Sequence, residues 1–588
     1  MERRVLIAIV LSFLVLYVYQ AMFVKPAPAP VTTGAGQTAS APATAGSKPT
    51  APPASQASAA TSQPAASASA AAPAAPEGST LVGDSAEHEV RFETNDVIAV
   101  FTNRGARLVS WRLKHYFDAN HQPLELVAND LAATEPLPFS IDTGNESADA
   151  TANTALYKVT GAPPAGTTIS SPVDLKFEYR NTAGLHVTKQ FHIEPSSYVI
   201  QFRGTVADGD REIAPSIVWG PGVGDSGTET SRYIRKPEGL IFVNGKVQRL
   251  SAKDIAGQPS REGDYRYAGV DDHYFMTVAL FPGPSKVFYR AVSIPPPPGS
   301  KNPSRDLVAY RLSTSRPGEP TKFFFGPKDF DVLASIDRDL TRAIDFGIFA
   351  FLVVPLLRSL NWINGYIGNY GWSIILLTII INAVMFPLRH KSVVSMRKMQ
   401  EIQPEIKAIQ ERYAKYKATD PEKAKMNQEM MALYKTRGVN PASGCVPMLL
   451  TMPVLYAFYS LLSVAIELRG APFFGWIHDL SAHDPLYITP VLMGISQMWQ
   501  QKMTPTAGAD PAQQKMMMVM PVVFTFMFLW APAGLAIYWF MSNLWGIGQQ
   551  YLTNYLIGPP KVHTVRPAAE RRVKRVGGGK TEAAARES

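Results

Sequence analysis

The chain has 588 residues, 57 lysines and arginines against 48 aspartates and glutamates, and a formal net charge of +9. That length exceeds one ordinary globular core, so several domains are expected. The single cysteine, Cys445, excludes an intramolecular disulfide. The basic excess fits nucleic acid, anionic lipid or the cytosolic loops of a membrane protein, and the location of the charges decides between them.

The first predicted element is a membrane anchor at residues 1–24. It contains 20 uncharged residues, 5–24, behind Arg3 and Arg4, and about that number crosses a bilayer. A cleaved signal peptide usually has a shorter apolar core, so an uncleaved anchor is favoured, while the small residues beyond it leave cleavage open. Residues 25–80 are rich in Ala, Pro, Ser and Thr and are predicted to be a disordered linker.

Residues 81–330 are predicted to form an antiparallel β-sandwich domain. Apolar and polar residues alternate in short segments such as 88–93 and 198–203, and clusters of Gly and Pro separate these segments. Because the domain follows a single anchor, it is predicted to lie in the periplasm. Asp271, Asp272 and His273 are candidates for an acid/base or metal cluster, but neighbours on a strand point to opposite faces, which favours a surface or structural role.

Uncharged stretches in the C-terminal half predict five more spans, because charges inside hydrocarbon are costly. These are the second span at 369–388, the third at 441–466, the fourth at 485–502, the fifth at 513–531 and the sixth at 533–556. The fifth and sixth spans are predicted to form a hairpin around Pro532. Residues 331–368 are expected to hold an interfacial helix, because their uncharged run, 346–357, is too short to cross.

Residues 389–437 are predicted to form a cytosolic helical hairpin. Apolar residues recur there at spacings of three or four on both sides of a turn at Asp420. A short coiled coil with methionine as filler and an adaptable methionine surface are two compatible interpretations. This segment and the tail at 557–588 are basic, whereas the loop at 467–484 is acidic. Both termini are therefore predicted to be cytosolic and the loop periplasmic.

Several C-terminal motifs resemble the YidC/Oxa/Alb membrane-protein insertase family. They are Asn427-Gln-Glu-Met-Met-Ala-Leu-Tyr-Lys, Gly444-Cys445-Val-Pro, Trp476-Ile-His-Asp-Leu-Ser, Phe528-Leu-Trp-Ala-Pro-Ala-Gly-Leu and Ser542-Asn-Leu. The match is dense over residues 325–555, and an anchor followed by a β domain is similar to the Gram-negative YidC branch. The resemblance implies a five-helix core with a polar groove that is open to the cytosol and to lipid. It also implies insertion of new inner-membrane proteins, either alone or with the Sec translocon.

The resemblance further implies that Thr378, Asn382, Tyr538 and Trp539 line the substrate groove. Thr378 and Asn382 share a helix face, and helix–helix hydrogen bonding is the other interpretation of this pair. Many family members carry arginine where this chain has Asn382, and often tyrosine where it has Trp539. Arg389 lies seven residues after Asn382 at nearly the same helix angle, so we hypothesise that it supplies the missing charge. Ordinary flanking charge is the alternative.

An apolar slide for departing substrates is implied on the third and fifth spans. Its residues are Leu449, Leu450, Val454, Phe458, Met517 and Pro521. Without the resemblance, these two spans are simply predicted to be lipid-facing helices.

The sequence thus predicts a polytopic α-helical inner-membrane protein that is an insertase and not an enzyme, with no cofactor and no metal. Its expected partners are nascent membrane proteins, the Sec translocon with its accessory subunits, and anionic lipids. The ribosome and the signal-recognition-particle receptor are further candidates, and direct DNA binding is not expected. A solute transporter or channel is the alternative, but it would call for intramembrane charges that the uncharged stretches lack.

Overall fold

The computed structural model describes residues 79–557 except 119, 129–130, 132–134, 224–233, 295–304, 315–317, 417–419, 440–445 and 504–510. The side chains of 305, 396, 400, 446–451, 511–517 and 557 are also outside this description. The predicted anchor, the linker up to residue 78 and the tail from residue 558 lie outside the described residues.

Eighteen strands lie between residues 80 and 327 of the described chain, and every ladder between them is antiparallel. They are β1 Thr80–Val82, β2 Glu89–Glu93, β3 Val97–Thr102, β4 Arg107–Phe117, β5 Pro123–Glu125, β6 Ser140–Asp142, β7 Lys158–Thr160, β8 Val173–Asn181, β9 Leu185–Ile193, β10 Val199–Asp208, β11 Arg211–Ile213, β12 Ser216–Trp219, β13 Glu238–Val243, β14 Lys246–Leu250, β15 Ser260–Asp271, β16 Phe275–Ile294, β17 Arg305–Thr314 and β18 Thr321–Pro327.

The strands form two sheets that share one apolar core. The main path of the large sheet runs β1-β8-β9-β10-β18-β16-β15-β13-β14, and the small sheet runs β2-β3-β4-β5. Trp111 of β4 stacks on Phe325 of β18 with ring centroids 6.0 Å apart, and its Nε1 donates to the Phe325 carbonyl at 2.9 Å. Phe101 of β3 lies 4.8 Å from Phe191 of β9. The sheets therefore pack face to face through their alternating apolar residues, and the predicted β-rich domain is confirmed.

Eleven α-helices lie in the described chain. They are α1 Glu146–Thr154, α2 Ala252–Gly257, α3 Phe330–Ile336, α4 Ala350–Ile367, α5 Tyr370–Glu401, α6 Gln403–Arg412, α7 Pro421–Thr436, α8 Val446–Val464, α9 Ile488–Met503, α10 Pro511–Phe528 and α11 Ala533–Ile557. Among these residues, two helical segments, Gly347–Ile367 and Tyr370–Met399, are long and apolar enough to cross a membrane. Two shorter apolar segments are Met452–Val464 and Met518–Phe528.

Two of these helices extend beyond the uncharged stretches of the sequence. α4 continues through Arg358, whose guanidinium lies 5.5 Å from the ring centre of Phe330. This cation–π contact gives the charge a partner, so the helix need not end at the edge of the run 346–357. α5 runs through Pro387 and Arg389 to Glu401 without a break. The boundary expected at residue 388 is therefore not a helix end.

After α5, the helices α6 and α7 pack together around a small apolar cluster of Ile402, Ile406 and Val439. Arg437 forms an ion pair with Glu405, and Arg412 pairs with Glu429 at 3.0 Å. The cytosolic position of this pair of helices stays a prediction.

The remaining helices pack around α11, which contacts both α5 and α9. α9 also packs against α10, while α8 packs against α4 and α11. Asp484 fixes the start of α9, because its carboxylate accepts the backbone N–H of Thr489 at 2.7 Å and of Leu486 at 2.9 Å. The same carboxylate accepts from Trp476 Nε1 at 2.9 Å. This cap positions the helices that surround the candidate site.

Candidate functional site

Three polar side chains of α5 form a continuous hydrogen-bonded chain, which we call the α5 polar chain. Thr378 Oγ1 donates to the Ile374 carbonyl at 2.6 Å, and Asn382 Nδ2 donates to the Thr378 carbonyl at 2.8 Å. Arg389 Nη1 then donates to Asn382 Oδ1 at 2.6 Å. The buried part of the chain is therefore neutral, and its one charge lies two helical turns away, where burial costs less.

The α5 polar chain is more enclosed than an open groove would require. Thr378 is 0% exposed and Asn382 is 3% exposed, whereas Arg389 is only half-buried. From the family resemblance, Thr378 and Asn382 were expected to line a groove open to water. In the structure their polar atoms are satisfied within α5, and Arg389 is the member that reaches solvent-accessible surface.

The two aromatic residues expected at the groove point in different directions. Tyr538 is buried and stacks on Phe458 of α8, with ring centroids 4.3 Å apart, and it lies within electrostatic range of Arg389. Trp539 turns toward α9, where its Nε1 donates to Gln497 Oε1 at 2.8 Å. Adjacent residues of a helix are about 100° apart, so the structure brings Tyr538 to the side of Arg389 and keeps Trp539 between α9 and α11.

The residues expected to form the apolar slide have mixed environments. Phe458 is fully buried against Tyr538, Pro521 is buried, and Val454 is half-buried. The side chains of Leu449, Leu450 and Met517 lie outside the described residues. The exposed apolar side chains described on α10 are others, namely Met518, Val519, Met520, Val522, Val523, Phe526 and Met527.

The packing of α10 in the described chain is mainly with the helix that precedes it. This helix is α9, and Gly494 of α9 makes the approach close. A side chain built at Gly494 would overlap Thr525 Oγ1 of α10. The short connection between α9 and α10 makes them neighbours, and the missing side chain at 494 lets their backbones draw together.

Sequence reasoning missed a set of polar residues on α9 and α11. Asn543 Nδ2 donates to Ser496 Oγ at 3.0 Å, and Gln549, Gln550 and Thr553 are buried farther along α11. The available signal was the recurrence of amide side chains at helical spacing inside an uncharged stretch. Charged residues mark the limits of an uncharged stretch, and neutral amides do not interrupt it.

The Asp271–His273 segment forms the turn between β15 and β16 and is engaged structurally. Asp271 pairs with Lys328 at 3.0 Å, and His273 Nδ1 accepts the backbone N–H of Arg235 at 3.2 Å. His273 Nε2 lies 2.8 Å from the carbonyl oxygen of Ser463 near the end of α8. Burial and the charge of Lys328 lower the pKa of His273 to about 4, so the ring is neutral and can donate to that carbonyl.

No metal site accompanies this turn in the described chain, since no three His, Cys, Asp or Glu side chains are grouped there so that they could hold an ion. The turn instead fastens the β domain to α8, which favours the structural role over an acid/base one.

A β-rich domain joined to a bundle of apolar helices with buried polar side chains defines a membrane protein with a large domain outside the bilayer. Residues 89–359 match the model of the YidC periplasmic domain, and residues 362–559 match the model of the 60Kd inner membrane protein. The chain is 35% identical to a membrane protein insertase YidC of Syntrophus aciditrophicus, covering 94% of this chain and 99% of the relative. The corresponding protein of Geobacter sulfurreducens is 37% identical, covering 94% of this chain and 98% of the relative.

The chain belongs to the YidC family of membrane protein insertases. It is therefore an inner-membrane protein, and its β-rich domain is the periplasmic domain of the family. A solved structure described as an active YidC insertase crystal structure with the first transmembrane domain resolved is 18% identical, with a TM-score of 0.33. The match covers 82% of this chain and 95% of the chain in that structure.

Proposed function

We propose that this chain integrates newly made inner-membrane proteins by receiving their polar segments at the α5 polar chain, with Arg389 as the charge that attracts them. The observation that carries the proposal is the hydrogen bond from Arg389 Nη1 to Asn382 Oδ1 at 2.6 Å. Through this bond, the guanidinium of Arg389 reaches the depth of position 382, where the family resemblance predicts an arginine. An acidic group of an incoming chain can replace Asn382 as the partner of Arg389.

The free energy for insertion comes from the substrate itself. Each Leu, Ile, Phe or Val of a spanning helix gains about 0.3–0.6 kcal/mol from lipid, so neither a nucleotide nor a cofactor is required. The obstacle is the polar flank, which has to cross hydrocarbon. A centred Arg would cost about 2.5–3.5 kcal/mol to hold in the bilayer. Asn382 avoids that cost, and Arg389 keeps its charge closer to the membrane surface.

In this proposal both termini and the pair of helices α6 and α7 face the cytosol, because the segment 389–440 is rich in lysine and arginine. Substrates then meet Arg389 from the cytosolic side. Larger substrates are proposed to arrive with the Sec translocon, and the basic tail is proposed to contact anionic lipid or a ribosome at the membrane.

The proposal is tested by comparing Arg389→Ala with Asn382→Ala in liposomes that contain the full chain. The substrate is a single-span protein with one acidic residue in its translocated segment. Hydrogen bonds to a charged group contribute about 1.5–3 kcal/mol, so Arg389→Ala is expected to slow insertion about tenfold or more. Asn382→Ala keeps the charge and is expected to stay within about threefold of the wild-type chain. Wild-type insertion by both variants would reject the proposal.

Two controls separate loss of charge from loss of folding. A substrate with glutamine in place of its acidic residue should be inserted at similar rates by the wild-type chain and by Arg389→Ala. The double variant Asn382→Arg, Arg389→Ala should recover insertion of the acidic substrate, because it supplies the charge from the position that the resemblance expects. A double variant as defective as Arg389→Ala would show that the charge is not what the substrate requires.

A further inference from the structure

Two neighbouring stripes of α11 carry polar side chains, and they differ in whether the chain itself satisfies them. The first stripe, 539, 543, 546 and 550, faces α9 and is paired. Trp539 bonds to Gln497, Asn543 bonds to Ser496, and Gln550 Nε2 donates to Asn554 Oδ1 at 3.2 Å. The second stripe, 538, 542, 545, 549 and 553, is turned by about 100° from the first.

The second stripe lies on the side of α5. Its first member, Tyr538, is near Arg389, and its last member, Thr553, has Oγ1 3.5 Å from Nδ1 of His390. Between these two ends lie Trp545 and Gln549, one helical turn apart on the same face. They therefore follow the α5 polar chain along the seam between α5 and α11.

Trp545 and Gln549 present buried polar atoms that no described residue satisfies. Trp545 Nε1 lacks a hydrogen-bond partner, and so do both Nε2 and Oε1 of Gln549. Gln549 is only 7% exposed. A buried amide that forms neither of its bonds loses the full free energy of its hydration. Among the described residues, two donors and one acceptor on adjacent turns are therefore left for a partner to satisfy.

We propose that Gln549, with Trp545 beside it, binds the main chain of an incoming polypeptide in an extended conformation. In an extended chain, the N–H and the C=O of one residue point to the same side, and a facing residue can exchange both bonds with them. A carboxamide carries the same donor and acceptor pair. Gln549 can thus accept from the N–H and donate to the C=O of one residue, while the Trp545 N–H donates to a carbonyl one turn away.

The chemistry of the three atoms favours a peptide main chain over lipid acyl chains or a lipid phosphate. Acyl chains offer no hydrogen-bonding groups, and a phosphate offers acceptors alone, which leaves Gln549 Oε1 unpaired. A peptide main chain offers both kinds of group at every residue except proline. Recognition of this kind does not depend on the side chains of the substrate, and a protein that inserts varied substrates needs such recognition. The inference rests on the proposed function, and it explains how the chain binds a polar substrate segment that carries no charge.

The test uses two neutral substrates that differ only in main-chain N–H groups. Each is a single-span protein with an uncharged translocated segment, rich in serine and glycine in one and with proline at every second position in the other. The full chain is reconstituted into liposomes, and the initial rate at which the segment becomes protected from protease is measured. The wild-type chain is expected to insert the serine-rich segment about fivefold faster than the proline-rich one.

Gln549→Met keeps the length of the side chain but removes both hydrogen bonds, so the ratio of the two rates is expected to fall to about one. The matched control is Gln550→Met, because Gln550 is equally buried but already paired with Asn554. This variant is expected to keep the wild-type ratio. A wild-type ratio in Gln549→Met would overturn the inference and would mean that water alone satisfies the amide. A wild-type chain without preference would overturn it as well.

A second measurement covers the case in which Gln549→Met does not fold. A benzoylphenylalanine in place of Trp545 is expected to crosslink to the polar segment of a substrate arrested during insertion. The same group in place of Tyr555, which is highly exposed, should not reach that segment. Crosslinks from position 545 only to lipid or to the apolar span would overturn the inference. If the wild-type chain inserts neither substrate, the proposed function itself fails, and that result is distinct from an unchanged ratio.

Discussion

In the proposed function, Asn382 and Arg389 together take the place of one buried arginine. Asn382 occupies the deep position without charge, and its amide links the Thr378 carbonyl to the Arg389 guanidinium. Helical geometry allows this because seven residues are close to two full turns. The seven-residue spacing between 382 and 389 was readable in the sequence. The hydrogen bond itself was not, because Pro387 lies between the two residues and a kink there would have rotated Arg389 away.

Glu467 gives the region beyond α8 a pH dependence. It lies in the short 3-10 helix Ile466–Leu468, where burial and the negative charge of Asp329 raise its pKa to about 7. A carboxyl group with a raised pKa stabilises the folded state in its protonated form. That stabilisation is complete below the unfolded pKa of about 4.5 and is lost as the pH rises through about 7.

We therefore expect the thermal unfolding temperature of the full chain to decrease as the pH is raised from 5 to 7.5, because Glu467 loses its proton over this range. Because the pKa of Glu467 is raised from 4.5 to about 7, and one pH unit corresponds to about 1.4 kcal/mol, the contribution is about 3 kcal/mol. Glu467→Gln, measured by the same unfolding experiment, should flatten this part of the profile. An equally steep profile in Glu467→Gln would place the titrating group elsewhere.

Helix contacts in the bundle depend on where side chains are absent as well as on where they are apolar. Gly494 of α9 lies directly against Thr525 of α10, and Gly546 of α11 lies against the Gln500 side chain of α9. These two positions let α9 approach both neighbours closely, as small residues do at helix interfaces in membranes.

Gly494→Leu is expected to force α9 and α10 apart and to destabilise the fold by about 1–3 kcal/mol, the usual cost of overpacking. The matched control is Gly548→Leu on α11, because a side chain at Gly548 meets nothing within 4 Å. The two variants are compared by thermal unfolding of the purified chain. Equal unfolding midpoints would mean that the contact between α9 and α10 contributes little.

At the scale of elements, the sequence predicted what depends on periodicity. Alternation predicted the β-rich domain, because side chains on one face of a strand share one environment, as in β9, where residues 185, 187, 189, 191 and 193 are all buried. One of these is Lys189, which the pattern could not place. Its Nζ donates to the carbonyls of Gly105 and Phe139, at 2.6 Å and 2.8 Å, and these contacts are set by loops distant in sequence.

The sequence could not predict which apolar residues face lipid. Phe458 and Phe526 are equally apolar, yet Phe458 is buried under Tyr538 and Phe526 is largely exposed. In a bilayer both lipid and protein interiors favour apolar side chains, so composition does not separate them. The unpaired amide of Gln549 was missed for a related reason. Gln550 bonds to Asn554 within α11, and only the structure shows that the buried amide next to it has no such partner among the described residues.

On the scale of the whole molecule, the periplasmic domain and the helical bundle are joined at identifiable contacts. His273 contacts the carbonyl of Ser463, and the guanidinium of Arg469 lies 4.9 Å from the ring centre of Phe275. Arg235 pairs with Asp345 at 2.7 Å just before α4. The domain therefore holds the ends of α8 and α4, and none of its described residues contacts the side chains named along the seam between α5 and α11.

We expect a chain lacking residues 30–320 to insert the single-span substrate within about threefold of the full-length rate, because the groups proposed to act lie after residue 369. Its thermal stability should be lower, since the contacts made by residues 235, 273 and 275 are lost. Insertion in liposomes and thermal unfolding measure these two effects separately. A stable shortened chain without insertion activity would assign a direct role to the periplasmic domain.

The proposed insertion at the α5 polar chain requires access of water to its buried end while a substrate is inserted. The direct measurement is the labelling of Thr378→Cys, in a chain with Cys445→Ser, by a maleimide that cannot cross membranes. We predict labelling from the cytosolic side when a substrate is engaged or when Arg389→Ala removes the contact with Asn382, and none from the periplasmic side. A cysteine at 378 that stays unlabelled from the cytosol under all of these conditions would mean that the seam is dry and would contradict the account.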